Sequence, residues 1–93
     1  MTMTPLVQEL RKLSAWEKAT PVPGPDHHQM RRDQFGTLMI YSEYGKLTQY
    51  GWEIDHSWPS SLGGPDHASN LCAMHWRNNR EKSNKPYLGM FGS

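Results

Sequence analysis

Proline and glycine divide this chain into short segments, and that division limits the folds open to it more than any other feature. The 93 residues include seven Pro and eight Gly, and the stretch 20–26, TPVPGPD, alone holds three Pro and one Gly. Because proline lacks a backbone N–H and both residues weaken helices and strands, we expect this stretch to be irregular. The sequence predicts one small domain of short helices and strands, of the α+β class.

Composition and charge exclude several classes of protein. The only cysteine, Cys72, allows no intramolecular disulfide and no four-cysteine zinc site. The apolar runs are too short to span a membrane, and the N-terminal residues lack the pattern of a secretory signal. We therefore expect a cytoplasmic protein without a membrane partner. The net charge of +1 neither indicates nor excludes nucleic-acid binding, which depends on local positive charge.

The first twenty residues carry a helical pattern. Thr4 can cap a helix, and Pro5 suits its first turn. Leu6, Leu10 and Leu13 then recur at helical spacing and form one apolar face. We expect this helix to dock on an edge of the core through that face, and the alternative is an arm that binds a partner.

Short apolar segments separated by turns fill the rest of the chain. The predicted elements are a helix over 27–34, strands over 37–41, 52–55 and 71–73, and a helix over 74–83. Residues 56–69 form a long loop that contains two Pro and two Gly. Long loops without structure of their own are uncommon in small domains and are frequently functional.

Asp55 and His56 bring two complementary chemical groups together where a predicted strand ends. A carboxylate is a hard oxygen ligand that suits Mg²⁺ or Mn²⁺. An imidazole with the ordinary pKa of about 6.5 is largely neutral at pH 7 and can take a proton from water. Asn79 lies one turn into the helix predicted over 74–83, where its amide oxygen can join Asp55 on a metal. Asn70 can hydrogen-bond either the loop or the imidazole.

The order and spacing of these residues resemble the HNH branch of the His-Me finger nucleases, which cut phosphodiester bonds with a one-metal ββα unit. The matched residues are Asp55-His56, Gly63-Gly64 with Asp66, Asn70-Leu71, Asn79 and Lys82. The resemblance implies a ββα-metal finger supported by N-terminal helices and an extra strand. It also implies that His56 is the general base, steadied by Asn70, and that Asp55 and Asn79 bind the metal. Such a site leaves a 5′-phosphate and a 3′-hydroxyl and nicks one strand of DNA per event.

Two departures from that family concern the metal. Many members carry two CxxC pairs for a structural zinc, but the positions near His75 and Asn78 hold no cysteine. Some members have a histidine at the position of Asn79 or one turn later, where this chain has Ser83. With so few protein ligands, the site suits one Mg²⁺ or Mn²⁺, which keeps several waters, better than Zn²⁺. Without structural zinc, aromatic packing must support the finger, and the candidates are Trp52, Trp58 and Trp76.

Positive charge is concentrated in and after the helix predicted over 74–83. The cationic side chains there are Arg77, Arg80, Lys82 and Lys85. They form either an ordinary solvated face or, beside a metal site, a set of contacts to the phosphates of DNA. The family resemblance favours Lys82 among them for such a contact.

Two residues near the motif have open roles. His75 either packs or hydrogen-bonds near the start of the helix predicted over 74–83, or approaches the metal or a phosphate from behind the metal ligands. Glu53 either forms an ion pair with Arg31 or Arg32 or lies behind the metal ligands. The sequence favours the structural role for both residues.

The leading hypothesis is a metal-dependent DNA endonuclease that acts as a monomer or weak homodimer. In this interpretation residues 1–50 support the finger, residues 51–85 form it, and residues 86–93 are a tail. One alternative is a non-catalytic DNA-binding module of the same fold. Another is a structural zinc domain with His and Asp ligands that binds a protein.

Overall fold

The N-terminal helix begins where the sequence predicts it. The computed structural model describes residues 3–26 and 28–82. Its first helix, α1, spans Pro5–Glu17, and Thr4 Oγ1 accepts a hydrogen bond from the backbone N–H of Val7 at 3.2 Å. Pro5 takes the first helical position, where an N–H would have no partner within the helix.

Three short strands after α1 form an antiparallel sheet with the second strand in the middle. The strands are β1 (Thr20–Pro21), β2 (Met30–Arg32) and β3 (Leu38–Ile40). The strand predicted over 37–41 is confirmed by β3, apart from one residue at each end. The sheet thus has three strands where the sequence predicts one.

The predicted helix over 27–34 is wrong over its described part, because β2 runs through it. Met30 pairs with Ile40 across the ladder to β3, and such pairing with a distant segment overrides a local helical pattern. The irregular stretch predicted over 20–26 is also wrong at its start, where β1 forms. Pro21 lies on the edge strand, where a missing N–H is tolerated.

A second antiparallel pair of strands, followed at once by a helix, occupies the C-terminal part of the described chain. In this hairpin Trp52 pairs with His75, and His56 pairs with Leu71 beside the loop. Both predicted strands and the predicted helix are confirmed, although the returning strand is longer and the helix starts later. The elements are β4 (Trp52–His56), β5 (Leu71–His75) and α2 (Trp76–Lys82). Ser83, the predicted end of the helix, lies outside the described residues.

An aromatic cluster joins α1 to the hairpin. The ring centroid of Trp16 lies 4.9 Å from that of Trp52 and 5.3 Å from that of Tyr41. Of the three tryptophans expected to support the finger, Trp52 is fully buried, but Trp58 is 38% exposed and Trp76 is half-buried. Trp16, from outside the motif, supplies the second large ring of the core because it lies on the last turn of α1.

The apolar face predicted for α1 does not dock on the core. Leu6, Leu10 and Leu13 are 68%, 53% and 40% exposed, whereas Ala15 and Trp16 are buried. The helix therefore packs through its C-terminal turn, and its longer apolar face stays at the surface of the described residues.

The described residues form a small α+β domain with two helices and two antiparallel sheets. The predicted fold class is confirmed at this level. Both α1 and α2 pack against the β4–β5 hairpin, and β3 touches β5. Neither helix of this described part has the length and apolar character needed to cross a membrane.

Candidate active site

Asn70 holds the loop that joins β4 to β5. Its Oδ1 accepts a hydrogen bond from the N–H of Trp58 at 2.9 Å, and its Nδ2 donates to the carbonyls of Trp58 at 3.1 Å and Pro65 at 2.8 Å. Its own carbonyl accepts from the N–H of Ser57 at 2.8 Å. Asn70 is buried, so these bonds fix the two ends of the loop. Of the two partners left open by the sequence, the structure gives Asn70 the loop and not the imidazole.

His56 ends β4 and hydrogen-bonds a loop carboxylate. Its Nε2 lies 2.9 Å from Asp66 Oδ1, and the imidazole is 23% exposed. Because an ionised carboxylate only accepts, Nε2 carries the proton in this contact. Within residues 3–26 and 28–82, the structure gives the other ring nitrogen, Nδ1, no hydrogen-bond partner.

Asp66 is shared between His56 and α1. Its second oxygen, Oδ2, forms an ion pair with Arg11 of the helix. Hydrogen bonds from Arg11, and next from His56, hold the pKa of the Asp66 carboxyl below its usual value of 3.8. Asp66 is therefore anionic at neutral pH. The sequence places Asp66 in the motif but assigns it no role, because its partners come from separate segments.

Asp55, directly before His56, is a nearly buried carboxylate next to a buried cation. Lys82 Nζ lies 2.9 Å from Asp55 Oδ2, and the two side chains are 4% and 14% exposed, respectively. No described residue donates a hydrogen bond of good geometry to that oxygen. Lys82 also donates to the carbonyl of His56 at 3.3 Å. The ammonium therefore neutralises Asp55 without fully satisfying its buried oxygen.

Glu53 lies two residues before Asp55 and on the same face of β4. Its Oε1 accepts a hydrogen bond from Asn79 Nδ2 at 2.9 Å, and its Oε2 lies 3.3 Å from Arg80. The predicted ion pair with Arg31 or Arg32 is wrong, because α2 covers this face of β4. Glu53 instead orients the amide of Asn79 by engaging its nitrogen.

The donors on this face suit a hard divalent cation. They are the carboxylate of Asp55, the amide oxygen of Asn79 and, next to it, the carboxylate of Glu53. The described residues contain no group of three or more His, Cys, Asp or Glu side chains arranged to hold a metal. Carboxylate and side-chain amide oxygens are the ligand types that Mg²⁺ and Mn²⁺ prefer, so Asp55 and Asn79 are the residues on this face that could hold such an ion.

A second cluster of the same residue types lies at the start of α2. Asp33, 3% exposed, accepts hydrogen bonds at Oδ1 from the N–H groups of Phe35 and Thr37, at 2.9 and 3.0 Å. Its Oδ2 accepts from the N–H of His75 at 3.1 Å and from Asn78 Nδ2 at 2.8 Å. Four donors from two parts of the chain thus saturate this carboxylate, which ties the β2–β3 turn to α2.

His75 and Asn78 belong to that cluster. His75 Nε2 lies 2.8 Å from the carbonyl of Gln49, and its Nδ1 accepts a hydrogen bond from the N–H of Arg77 at 3.1 Å. Asn78 donates to Thr37 Oγ1 as well as to the carboxylate. Both ring nitrogens of His75 are occupied, so it takes the structural alternative, at the start of the helix. The engagement of Asn78 leaves Asn79 as the asparagine next to β4.

The cations predicted to contact DNA have different environments. The guanidinium carbons of Arg77 and Arg80 lie 5.0 and 5.8 Å from the ring centroid of Trp76, and both arginines are exposed. Lys82 is buried against Asp55. Lys85 lies outside the described residues. Among these cations, Arg77 and Arg80 are therefore the ones that the described surface presents to solvent.

Comparison with known proteins finds no relative. A scan against protein-family models gives no match, and searches of the curated proteins and of the solved structures give none either. The functional interpretation of the site accordingly depends on its residues and their geometry.

Proposed function

We propose that this protein is a metal-dependent DNA endonuclease of the HNH type, with β4, β5 and α2 as its ββα-metal finger. The observation that carries the proposal is the pair of groups at the end of β4: His56, whose Nδ1 has no hydrogen-bond partner among the described residues, and Asp55, whose carboxylate has the ion pair with Lys82 but no aligned hydrogen-bond donor there. Buried and half-buried polar groups in folded proteins are usually satisfied. Two adjacent groups with open bonding capacity, one a hard ligand and one a base, are typical of a catalytic site.

The chemistry begins with His56. Its Nδ1 takes a proton from water while the Nε2–H stays on Asp66, and the water oxygen attacks the phosphorus of the scissile diester. The bond from phosphorus to the 3′-oxygen breaks, and that oxygen takes up a proton from solvent. The products are a 5′-phosphate and a 3′-hydroxyl. Asn70 contributes by fixing the loop that carries Asp66.

Asp55 and Asn79 are the proposed metal ligands. A Mg²⁺ or Mn²⁺ held by these two residues would supply positive charge for the phosphate and the leaving oxygen. Glu53 holds the nitrogen of Asn79, which leaves the amide oxygen of that residue to act as a ligand. Lys82 competes with the cation for Asp55, because its ammonium contacts the same carboxylate.

DNA is the proposed substrate and partner. Arg77 and Arg80 are exposed on α2, where guanidinium groups can contact backbone phosphates without reading sequence. Lys85 and Lys82 remain predicted phosphate contacts, although the burial of Lys82 favours a role inside the site. We propose a cytoplasmic monomer or weak homodimer in which each site nicks one strand per event.

The test is cleavage of supercoiled plasmid by the purified chain with Mg²⁺ or Mn²⁺. We expect conversion to open circles, with nicks that DNA ligase seals without prior treatment, because they carry a 5′-phosphate and a 3′-hydroxyl. EDTA should stop the reaction, and excess Mn²⁺ should restore it. Nicking that persists unchanged in EDTA would refute the metal requirement, and no nicking with either cation would refute the proposed activity.

A further inference from the structure

A chain of contacts links α1, outside the motif, to the proposed catalytic base. Arg11 of α1 forms an ion pair with Asp66 Oδ2, while Asp66 Oδ1 lies 2.9 Å from His56 Nε2. The two oxygens of one carboxylate are thus divided between the helix and the imidazole. This arrangement fixes the plane of the carboxylate as well as its position.

We propose that Asp66 is a positioning residue of the nuclease, which holds His56 in the Nε2–H tautomer, and that Arg11 holds Asp66 in place. This inference rests on the proposed function, because it assigns to His56 the role of base. An imidazole that rotates or exchanges tautomers presents a lone pair to water only part of the time. A carboxylate partner at Nε2 keeps the lone pair on Nδ1.

The need for Arg11 follows from where Asp66 lies. Asp66 is on the loop between β4 and β5, and its side chain is 52% exposed. An exposed carboxylate on a loop samples many orientations unless a second contact restrains it. Arg11 provides that contact from a rigid helix, and its side chain is only 22% exposed.

Lys18, the residue directly after α1, contacts the same part of the loop. Lys18 donates hydrogen bonds to the carbonyl of Ala68 and, at 2.7 Å, to that of Leu71. Arg11 and Lys18 therefore both contact the C-terminal half of the loop, and Lys18 also contacts the start of β5. The helix positions the loop through cations, which explains why its leucine face is not needed for this contact.

The Arg11–Asp66 contact orients side chains and adds little to the stability of the fold. Ion pairs with exposed members add little to folding stability, so removal of either side chain leaves the fold in place. What changes is the orientation of His56. Loss of a residue that orients a ligand or base typically lowers activity by about 10- to 100-fold.

The first experiment reads the tautomer of His56 without using activity. Long-range ¹H–¹⁵N spectra of the histidine-labelled full chain are recorded at about pH 8, where an ordinary imidazole is neutral. The His56 signals are identified by their loss in His56→Ala. We expect an Nε2-protonated ring in the wild type, a mixture of tautomers in Asp66→Ala, and recovery in Asp66→Glu. His67→Ala, an exposed change on the same loop, is the control and should leave the His56 signals unchanged.

The second experiment measures plasmid nicking by the same proteins. We expect kcat to fall about 10- to 100-fold in Asp66→Ala with KM unchanged, and to fall less in Arg11→Ala. The double variant should be no slower than Asp66→Ala, because Arg11 acts through Asp66. Lys12→Ala removes a neighbouring charge of α1 and should nick at the wild-type rate.

The two experiments separate this inference from the proposed function. Unchanged His56 signals in Asp66→Ala would overturn the role of Asp66 even if the wild type nicks plasmid. The expected tautomer shift together with no nicking by any variant would confirm the contact but overturn its catalytic meaning and the proposed activity. A further loss in the double variant beyond Asp66→Ala would overturn the role given to Arg11.

Discussion

The same three residue types occur twice around the hairpin, in opposite states of bonding. We name the cluster at the start of α2 the saturated set and the group at β4 and α2 the open set. The members are Asp33, His75 and Asn78 in the saturated set and Asp55, His56 and Asn79 in the open set. The carboxylate of the saturated set accepts four hydrogen bonds, and both ring nitrogens of its histidine are engaged. The open set leaves one carboxylate oxygen without an aligned donor among the described residues.

The comparison shows that two carboxylates of the same residue type, both largely buried, can differ in how fully hydrogen bonds satisfy them. The buried carboxylate of Asp33 accepts four hydrogen bonds, which stabilise the fold, whereas that of Asp55 has the ammonium of Lys82 as its described partner. This difference is why we propose Asp55, and not Asp33, as the carboxylate that binds a metal. Residue type alone does not reveal this distinction, because both sets contain the same types.

A large loss of activity is expected on changing the carboxylate of the open set, Asp55. Asp55→Asn keeps the shape of the side chain but weakens its hold on a divalent cation. We expect plasmid nicking to fall about 10³-fold, equivalent to about 4 kcal/mol of transition-state stabilisation. Single-turnover nicking at saturating Mn²⁺ measures this loss. A rate within about threefold of wild type would break the assignment of Asp55 as a ligand.

The saturated carboxylate should matter for stability. Asp33→Asn replaces one accepting oxygen with a donor that faces other donors, so we expect unfolding to become easier by about 3 kcal/mol. Urea unfolding followed by tryptophan fluorescence measures the change.

The matched control for that experiment lies in the open set. Asp55→Asn combined with Lys82→Met removes a buried ion pair as a unit and should alter stability by only about 1 kcal/mol. Equal losses in the two proteins would erase the distinction between the two sets.

Part of this molecule is predictable from sequence because it depends on local signals. The capping of α1 by Thr4 and Pro5 follows from neighbouring residues, and so does the placement of Asp55 and His56 at a strand end. The order of two strands and a helix after residue 51 follows from short-range patterns of the same kind. Local physical rules suffice where the partners of a residue are its close neighbours.

The remainder depends on contacts between distant segments. The helix predicted over 27–34 is a strand at Met30 because that residue pairs with Ile40. Arg11 and Asp66 are separated by 55 positions, so neither position suggests the other. No sequence pattern marks Asp33 as buried, since its donors include groups more than forty residues later. Such pairings appear only when the chain is folded.

Replacing Lys82 tests whether its ammonium competes with a metal ion for Asp55. Its ammonium lies against Asp55, so Lys82→Met should strengthen Mn²⁺ binding about tenfold, or about 1.4 kcal/mol, by removing a competitor. Isothermal titration with Mn²⁺ measures the affinity. The Tm of this variant should also be lower in EDTA and rise more on adding Mn²⁺ than that of wild type. Weaker binding by Lys82→Met would show that the lysine supports the metal site and does not compete for it.

The smallest expected effect concerns the pH dependence of a contact outside both sets. Tyr41 donates a hydrogen bond to Glu9 of α1; burial, and next this bond, raise the pKa of Tyr41 well above its usual value of 10.0. Tyr41 and next Lys12 lower the pKa of Glu9 below 4.5. Because the pKa of Tyr41 is raised on folding, its contribution to stability is present below pH 10.0 and is lost as the pH rises above that value. Because the pKa of Glu9 is lowered on folding, its contribution is present above pH 4.5 and is lost as the pH falls below that value.

Thermal unfolding across pH tests that prediction. The Tm of wild type should exceed that of Tyr41→Phe between those limits, and the difference should shrink toward both extremes. A difference that stays constant from acid to alkali would mean that the hydroxyl stabilises the fold without its bond to Glu9.

The most direct test of the central claim uses the open histidine. Plasmid nicking is compared in wild type, His56→Ala and His67→Ala under Mn²⁺, with and without added imidazole. We predict that His56→Ala loses about 10²- to 10⁴-fold in rate, that free imidazole restores part of it, and that His67→Ala nicks like wild type. Nicking by His56→Ala at the wild-type rate would contradict the assignment of this site as the catalytic centre.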